Sequence, residues 1–412
     1  MNKPILLLCV LFSSSIVSAL AQPTKEQLIA AINTTATYAS DVLLDKSGKS
    51  KCDYNLIESK WYPYEEAWHT GQIILGLLES YKLTGNKNYL NTAIRAGDWW
   101  CSLEIKDDPA FKGMIKAVHG DDVGEDHIVF ATTTDGIAGI FELGRVTGIK
   151  KYETLAISVS RWLLDNMYYP QEGVCYDFFD LKKREVLKAN SPFHQGKLNQ
   201  TLDDLARPNT EGSPFAEAYK LTGDMKFLDA HLLLCKTLVE KQDSNGLWMQ
   251  YSPNFAQYSF FHPRFNLWYA ESLLEAYDIT KEKKYLEAAV KTARQFTKIQ
   301  QKDGTIFYEN FTNGLRSNNG SICGSATAFA GLLWMRLVGY GYPEFKANYE
   351  KSAYWIMRNR YPNNYPNPNL RGAVFETQLR GKNGGIWLVH RDIGTSFGMR
   401  FLAGYCKLKY GK

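Results

Sequence analysis

The chain predicts an all-α protein whose twelve helices form six hairpins, with elaborate loops gathered at one end. Three observations predict it. A helix-turn-helix junction recurs along the sequence, two helix compositions alternate, and the connections are short and long in strict alternation.

The junction reads LTGNKNYL (83–90), VTGIKKYE (146–153), LTGDMKFL (221–228) and ITKEKKYL (279–286). In each, Thr is followed five residues later by Tyr89, Tyr152, Phe227 or Tyr285. Gly85, Gly148 and Gly223 follow the threonine in three copies, which fits a helix ending on a left-handed residue. A second helix then starts, and its aromatic packs back on the first. LVGYGYPEF (337–345) is a looser copy. Repetition at this period implies one helix pair per unit.

One helix set precedes the junctions, at 66–82, 135–146, 210–221, 266–279 and 324–338, with a last member at 393–408. It is rich in Ala, Gly, Leu and aromatics, as helices surrounded by protein are. The other set spans 25–43, 87–104, 150–166, 225–242, 282–300 and 344–358 and carries a solvated Lys/Glu stripe. KKYLEAAVKTARQF (283–296) shows the three-and-four spacing clearly. Extended pieces such as GVCYDFF and GAVFETQL are short and fall inside loops.

Links from the first set to the second are only a few residues long. The reverse links cover 44–65, 105–134, 167–209, 243–265, 301–323 and 359–392. Loops of that length are uncommon unless they serve a function. Antiparallel pairing puts them all at one end, beside the N-termini of the inner helices, where amide donors and the positive dipole end point outward.

Twelve helices in six hairpins with LTGD-x-K-x-L turns resemble the (α/α)6 toroid, the double helical ring of many glycoside hydrolases, polysaccharide lyases and sugar epimerases. The resemblance spans about residues 25 to 408 and singles out no one family. It implies a sugar-binding cleft, lined by aromatics, at the long-loop mouth. An open solenoid of helical repeats is the structural alternative.

Composition fits this picture. A net charge of +5, with Lys and Arg dispersed, gives no nucleic-acid signature and suits an acidic saccharide partner. Residues 1–21 read as a secretory signal, with Lys3, the apolar stretch Ile5 to Val17 and the Ala19-Leu20-Ala21 site. The expectation is an exported chain, periplasmic or secreted, with 22–412 as a single catalytic domain, monomeric or weakly oligomeric. No later run is long enough for a membrane span. Six cysteines remain after the signal, and they read better as small buried groups than as disulfides. No zinc spacing, nucleotide fingerprint or nucleophile elbow appears, so no metal or cofactor is expected.

Polar residues collect where the inner helices begin. They include Glu65, Glu66 and His69, then Asp135, then Glu211 with Arg207 and Asn209. His262, Arg264 and Asn266 follow, then Arg316, Asn318 and Asn319, then His390, Arg391 and Asp392. The loop at 105–134 adds His119, Asp121, Asp122, Glu125, Asp126 and His127. Acids there are also explained as caps. Histidine and arginine gain nothing from a helix N-terminus, so they need another reason, either a paired acid or a bound anion.

Two chemistries compete. Elimination on a uronic acid polymer requires the sugar carboxylate to be neutralised and a His or Tyr to take the C5 proton. His262, Arg264, His390 and Asn319 supply that menu, with Tyr308 taken from several tyrosines at this end. Toroid lyases look much the same at the mouth, so the resemblance supports it. Hydrolysis requires two carboxylates flanking the bond. Asp135 and Glu211 are the candidates, with Glu66 or Asp392 as the other member. Candidate binding residues are Glu66, His69, Trp68, Arg207, Asn266 and Trp248, joined by Tyr251, Arg316, Asn318, Arg391 and Asp392. The sequence favours a lyase, with a hydrolase as the alternative and a uronyl C5-epimerase or a non-catalytic glycan-binding protein behind. The acids at 121–126 weigh against the positive cleft a lyase needs.

Overall fold

A computed structural model describes residues 22–117, 126–187, 206–207, 213–251, 253–315, 320–382 and 385–411. Twelve α-helices occur among them: α1 Lys25–Tyr38, α2 Glu66–Thr84, α3 Lys87–Ser102, α4 Phe130–Thr147, α5 Lys150–Asn166 and α6 Pro214–Thr222. The others are α7 Met225–Lys241, α8 Pro263–Thr280, α9 Lys283–Ile299, α10 Gly324–Gly339, α11 Lys346–Arg358 and α12 Ile393–Tyr410. Each lies within a few residues of its expected place. The largest departure is α4, which begins five residues before Asp135. Its Thr132-Thr133-Thr134 run does not delay the helix, because Thr133 Oγ1 donates back to Val129 O at 3.0 Å and is satisfied inside the turn.

The inner ring runs α2, α4, α6, α8, α10, α12 and returns to α2. The seam between α6 and α8 is fastened by Ser213 and Ser272, 2.9 Å apart, and by Lys220 with Glu275 at 2.7 Å. Each inner helix packs on the helix that follows it, while α12 packs on α1 and so joins the two ends of the chain. The molecule is a closed (α/α)6 toroid, not an open arc. No described helix is long and apolar enough to cross a membrane. The six cysteines after residue 21 are free thiols.

The short turns behave as the repeat implies. Gly85, Gly148 and Gly223 have φ of 72°, 70° and 69°. In the fourth copy Lys281 takes the same conformation at φ 60°, at the cost a Cβ imposes there.

The helices α2 and α4 cross closely. A Cβ on Gly71 would stand 2.0 Å from Gly136 O, and one on Gly136 would stand 2.3 Å from Ala67 O. Backbone cannot yield there as a side chain can. Gly136→Ala is therefore expected to destabilise by about 3 kcal/mol, visible as a lower urea midpoint. An unchanged midpoint would show that the crossing is not tight.

The long-loop end carries more strand than the sequence suggested. A four-stranded sheet has the order β11 (Thr377–Lys382), β12 (Gly385–His390), β1 (Asp53–Asn55), β2 (Lys60–Tyr62). It is antiparallel, with Tyr54 and Thr377 on either side of His390. GAVFETQL was expected to be a scrap within a loop, and it instead runs into the first strand of this sheet. Pairing along the whole length of β12 satisfies backbone groups of this strand that a lone extended piece would leave open.

Among the described residues three histidines are buried, His69, His231 and His390, and burial shifts the last two strongly. Burial pushes the imidazoles of His231 on α7 and His390 on β12 down to about 4. Their unfolded value is about 6.5, so the unfolded chain binds more protons between these limits. Stability should be complete above about pH 6.5 and should fall as pH drops toward 4, by about 3 kcal/mol per histidine. Urea titrations at pH 7 and 4.5 check this, and His231→Leu should flatten the slope. A variant with the same acid sensitivity would count against it.

Candidate functional site

Trp68, in the first turn of α2, is the middle of the mouth. The guanidinium carbon of Arg264 lies 5.4 Å from its ring centre and that of Arg391 lies 5.6 Å away. Both arginine residues are only 2% exposed, so each charge requires partners inside the protein. Trp268 of α8 closes the floor with its ring 6.0 Å from that of Trp68.

Arg264, in the first turn of α8, spends a single nitrogen on its partners. Its Nη1 donates to Glu376 Oε1 at 2.9 Å, Tyr308 Oη at 2.9 Å and Ser325 Oγ at 3.2 Å. Glu376 also accepts from Ser325 N at 2.6 Å and from the Tyr308 hydroxyl. Burial pushes the Glu376 carboxyl up, opposed by Arg264, and burial keeps the Tyr308 phenol protonated. Tyr308 was expected to handle a substrate proton. Its hydroxyl is instead an interior donor to Glu376, and the residue is 3% exposed.

Arg391, directly after β12, donates from Nε to Asp53 Oδ1 at 3.1 Å, and its Nη2 lies 3.3 Å from His69 Nε2. His69 Nδ1 meets Asp392 Oδ1, and the other Asp392 oxygen accepts from Ser50 Oγ at 2.6 Å. Arg391 also lies 5.3 Å from the centre of the Tyr64 ring and 3.9 Å from Glu65 Oε2.

Glu65 enters α2 with a left-handed backbone, φ 51° and ψ 46°, a conformation that clusters at functional sites in non-glycine residues. Its Oε1 accepts from Thr132 Oγ1 of α4 at 3.3 Å. Asp135 is three residues beyond Thr132 and therefore on the same helix face. The α2/α4 crossing thus brings two largely buried carboxyl residues, Glu65 at 8% and Asp135 at 2% exposed, to one side of the mouth. Gln72 fixes their relation by donating to Asp135 O at 2.6 Å. Asp177 caps α4 from outside, accepting from Ala131 N at 2.9 Å.

Other expected site residues fall elsewhere. His262 stands half-buried at the mouth, its ring 5.8 Å from that of Tyr308 and 5.4 Å from that of Phe265. His390 was expected to be a base, but it is wholly buried in the sheet with its ring against Tyr361. Trp248 and Tyr251 were expected to stack on sugar and are instead core. The Trp248 indole donates to Leu238 O at 2.7 Å, and its ring packs on Tyr269. Asn266 is a brace between segments, accepting from Trp248 N and donating to Asn254 and His262 O. Glu66 turns to the surface and pairs with Lys49 at 3.0 Å. Arg207 is described only as backbone in strand β8 (Ala206–Arg207). Asn209, Glu211, Arg316, Asn318 and Asn319 lie outside the described residues, as do His119, Asp121, Asp122 and Glu125.

Glu376 and Asp53 were missed. Each is an acid inside an extended stretch within a long loop, and nothing in spacing separates such a residue from a solvated strand position. Glu65 was visible at the helix start but was not distinguished from Glu66.

A closed double ring of helical hairpins with a buried ionic mouth defines the class. Solved structures with the same fold cover nearly the whole chain. An unsaturated glucuronyl hydrolase specific for heparin matches at 14% identity over 94% of this chain and 98% of its own, with a TM-score of 0.68. Cellobiose 2-epimerase from Bacillus thermoamylovorans matches at 12% identity over 90% and 99%, with a TM-score of 0.65. A D-mannose isomerase matches at 13% over 94% and 99%, with a TM-score of 0.64. No family model matches the sequence, and no curated protein matches it. At these identities the likeness establishes the fold.

Proposed function

We propose that the chain is a carbohydrate-active enzyme, a glycoside hydrolase that acts on an acidic oligosaccharide bearing a terminal uronyl residue. The observation that carries this reading is the α2/α4 crossing, where Glu65 at the start of α2 accepts from Thr132, three residues before Asp135 on α4, and lies 3.9 Å from Arg391. Two carboxyl groups provide the acid and base that hydrolysis needs. Trp68, itself buried, supports Arg391 from below, and Arg391 offers donors to the carboxylate of the sugar.

Elimination is less well supported than the sequence alone suggested. Of its proposed proton carriers, Tyr308 is engaged as a donor to Glu376 and His390 is packed in the sheet against Tyr361. Among the described residues each buried arginine already has a carboxylate partner, Arg264 in Glu376 and Arg391 in Asp53, which lessens its power to acidify a C5 proton. Similar folds among glucuronyl hydrolases add support for a uronyl substrate. An exported location fits such a substrate and belongs to the same proposal.

The test uses unsaturated uronyl oligosaccharides and intact acidic polymers, with ultraviolet absorbance and reducing ends followed together. Loss of double-bond absorbance from the oligosaccharides, with new reducing ends, is the expected result. A rise in absorbance on intact polymers would indicate elimination and overturn the proposal.

A further inference from the structure

We infer that His69 and Asp392 are positioning residues that give the site its preference for an acidic sugar, by fixing the orientation of Arg391. The inference rests on the proposed acidic substrate and adds a specificity device to it.

The argument starts from direction. A guanidinium can only donate hydrogen bonds, so His69 Nε2, 3.3 Å from Arg391 Nη2, must accept. The imidazole proton then sits on Nδ1, which faces Asp392 Oδ1. Asp392 is held in turn by Ser50 Oγ at 2.6 Å, and Ser50 N donates to Thr70 Oγ1 at 2.9 Å. Ser50, Asp392, His69 and Arg391 therefore form one chain in which every proton has a determined place. It joins the loop before β1, the N-terminus of α12 and the first turn of α2.

Arg391 is gripped on two sides, by Asp53 at Nε and by His69 at Nη2. Among the described residues Nη1 has no hydrogen-bond partner. The tethers leave that nitrogen for a substrate oxygen and hold the guanidinium plane between Tyr64 and Trp68. A long side chain fixed in advance loses less freedom when it binds, which concentrates its contribution on the charged substrate.

A metal is the competing explanation, because ligand atoms of Cys52, His69 and Asp392 lie within 4.8 Å of one another. The donation from Arg391 argues against it. It occupies Nε2 and leaves the proton on Nδ1 facing Asp392, so neither ring nitrogen is free to ligate.

Two substitutions at one position separate the roles. In His69→Asn the amide stands near the place of Nδ1, so the contact with Asp392 survives and the acceptor for Arg391 is lost. In His69→Gln the side-chain oxygen reaches the place of Nε2 and the acceptor is kept. The readout is kcat/KM on a uronyl oligosaccharide divided by kcat/KM on its carboxyl-reduced counterpart. His69→Asn should lower this ratio by about 10-fold or more, as expected for losing a hydrogen bond that orients a charge. His69→Gln should stay within about 3-fold of the parent. Ser50→Ala, a milder change, should lower the ratio by about 3-fold and serves if His69→Asn does not fold. A merely structural role would reduce both substrates equally, leaving the ratio constant in all three variants, and that outcome overturns the inference. A parent enzyme with no preference for the acidic sugar would instead sink the functional proposal beneath it. Stoichiometric metal in the purified parent, lost in Cys52→Ser, would overturn the hydrogen-bonded chain in favour of a metal site.

Discussion

Glu65→Gln and Asp135→Asn are each expected to lower kcat by about 1000-fold while leaving the thermal midpoint nearly unchanged. The magnitude is that of removing one positioned acid or base from a hydrolytic pair. Both replacements keep the shape of the side chain. Glutamine at 65 can still accept from Thr132 Oγ1, which now lies 3.3 Å from the carboxylate. Asparagine at 135 leaves the bond from Gln72 to the backbone carbonyl untouched. The neighbouring Glu66→Gln is the control, since Glu66 pairs with Lys49 at the surface and should lose almost no activity. Steady-state kinetics beside circular dichroism decides the matter. Activity within a few-fold of the parent in either variant would remove that residue from the proposed pair.

The second large effect concerns stability. Glu376→Ala should cost about 3–5 kcal/mol, because it leaves the buried Arg264 charge without its counterion. Tyr308 and Ser325 would remain as neutral partners, unable to balance a full charge. Replacing both members of the pair should cost much less than removing Glu376 alone, since an apolar pair of similar volume carries no desolvation penalty. The comparison to make is urea unfolding of Glu376→Ala, Arg264→Leu and the double variant Glu376→Leu with Arg264→Leu. Additive losses would mean that the two side chains do not act as a unit. Because Arg264 also borders Trp68, the double variant separates stability from function: a folded protein with impaired binding is expected.

The two effects divide the mouth into parts with different work. Glu376, Tyr308, Ser325 and Arg264 Nη1 form a closed interior cluster whose groups satisfy one another. Glu65 and Asp135 sit where two inner helices cross closely, and their placement depends on Gly71 and Gly136 having no side chain. A single methyl group at Gly136 would therefore disturb both packing and the carboxyl pair.

Much of the architecture was legible because it is built from local signals. The Thr-Gly turns, the three-and-four spacing of the outer helices and the alternation of short and long links each arise from residues close in sequence. Together they predict six hairpins, since a hairpin needs only neighbours. Hydrophobic density then tells inner helices from outer ones, because an inner helix has protein on nearly every side.

The site was legible only in outline. His69, Trp68, Arg264, Arg391, Asp392 and Asp135 were all expected at the mouth, and the ring brings them to that end. Their roles were not readable, because burial and partner choice are set by segments far apart in the chain. Asp392 meets His69 from 323 positions away, and Glu376 meets Arg264 from 112 away. His390 and Tyr308 looked like proton carriers by residue type, and tertiary burial made them structural. The sequence by itself determined six helical hairpins and the end at which the long loops and candidate polar residues gather. Only the closed ring decided which charged groups neutralise one another, because electrostatic pairing depends on distance in space and on exclusion of water, and neither is written in local spacing.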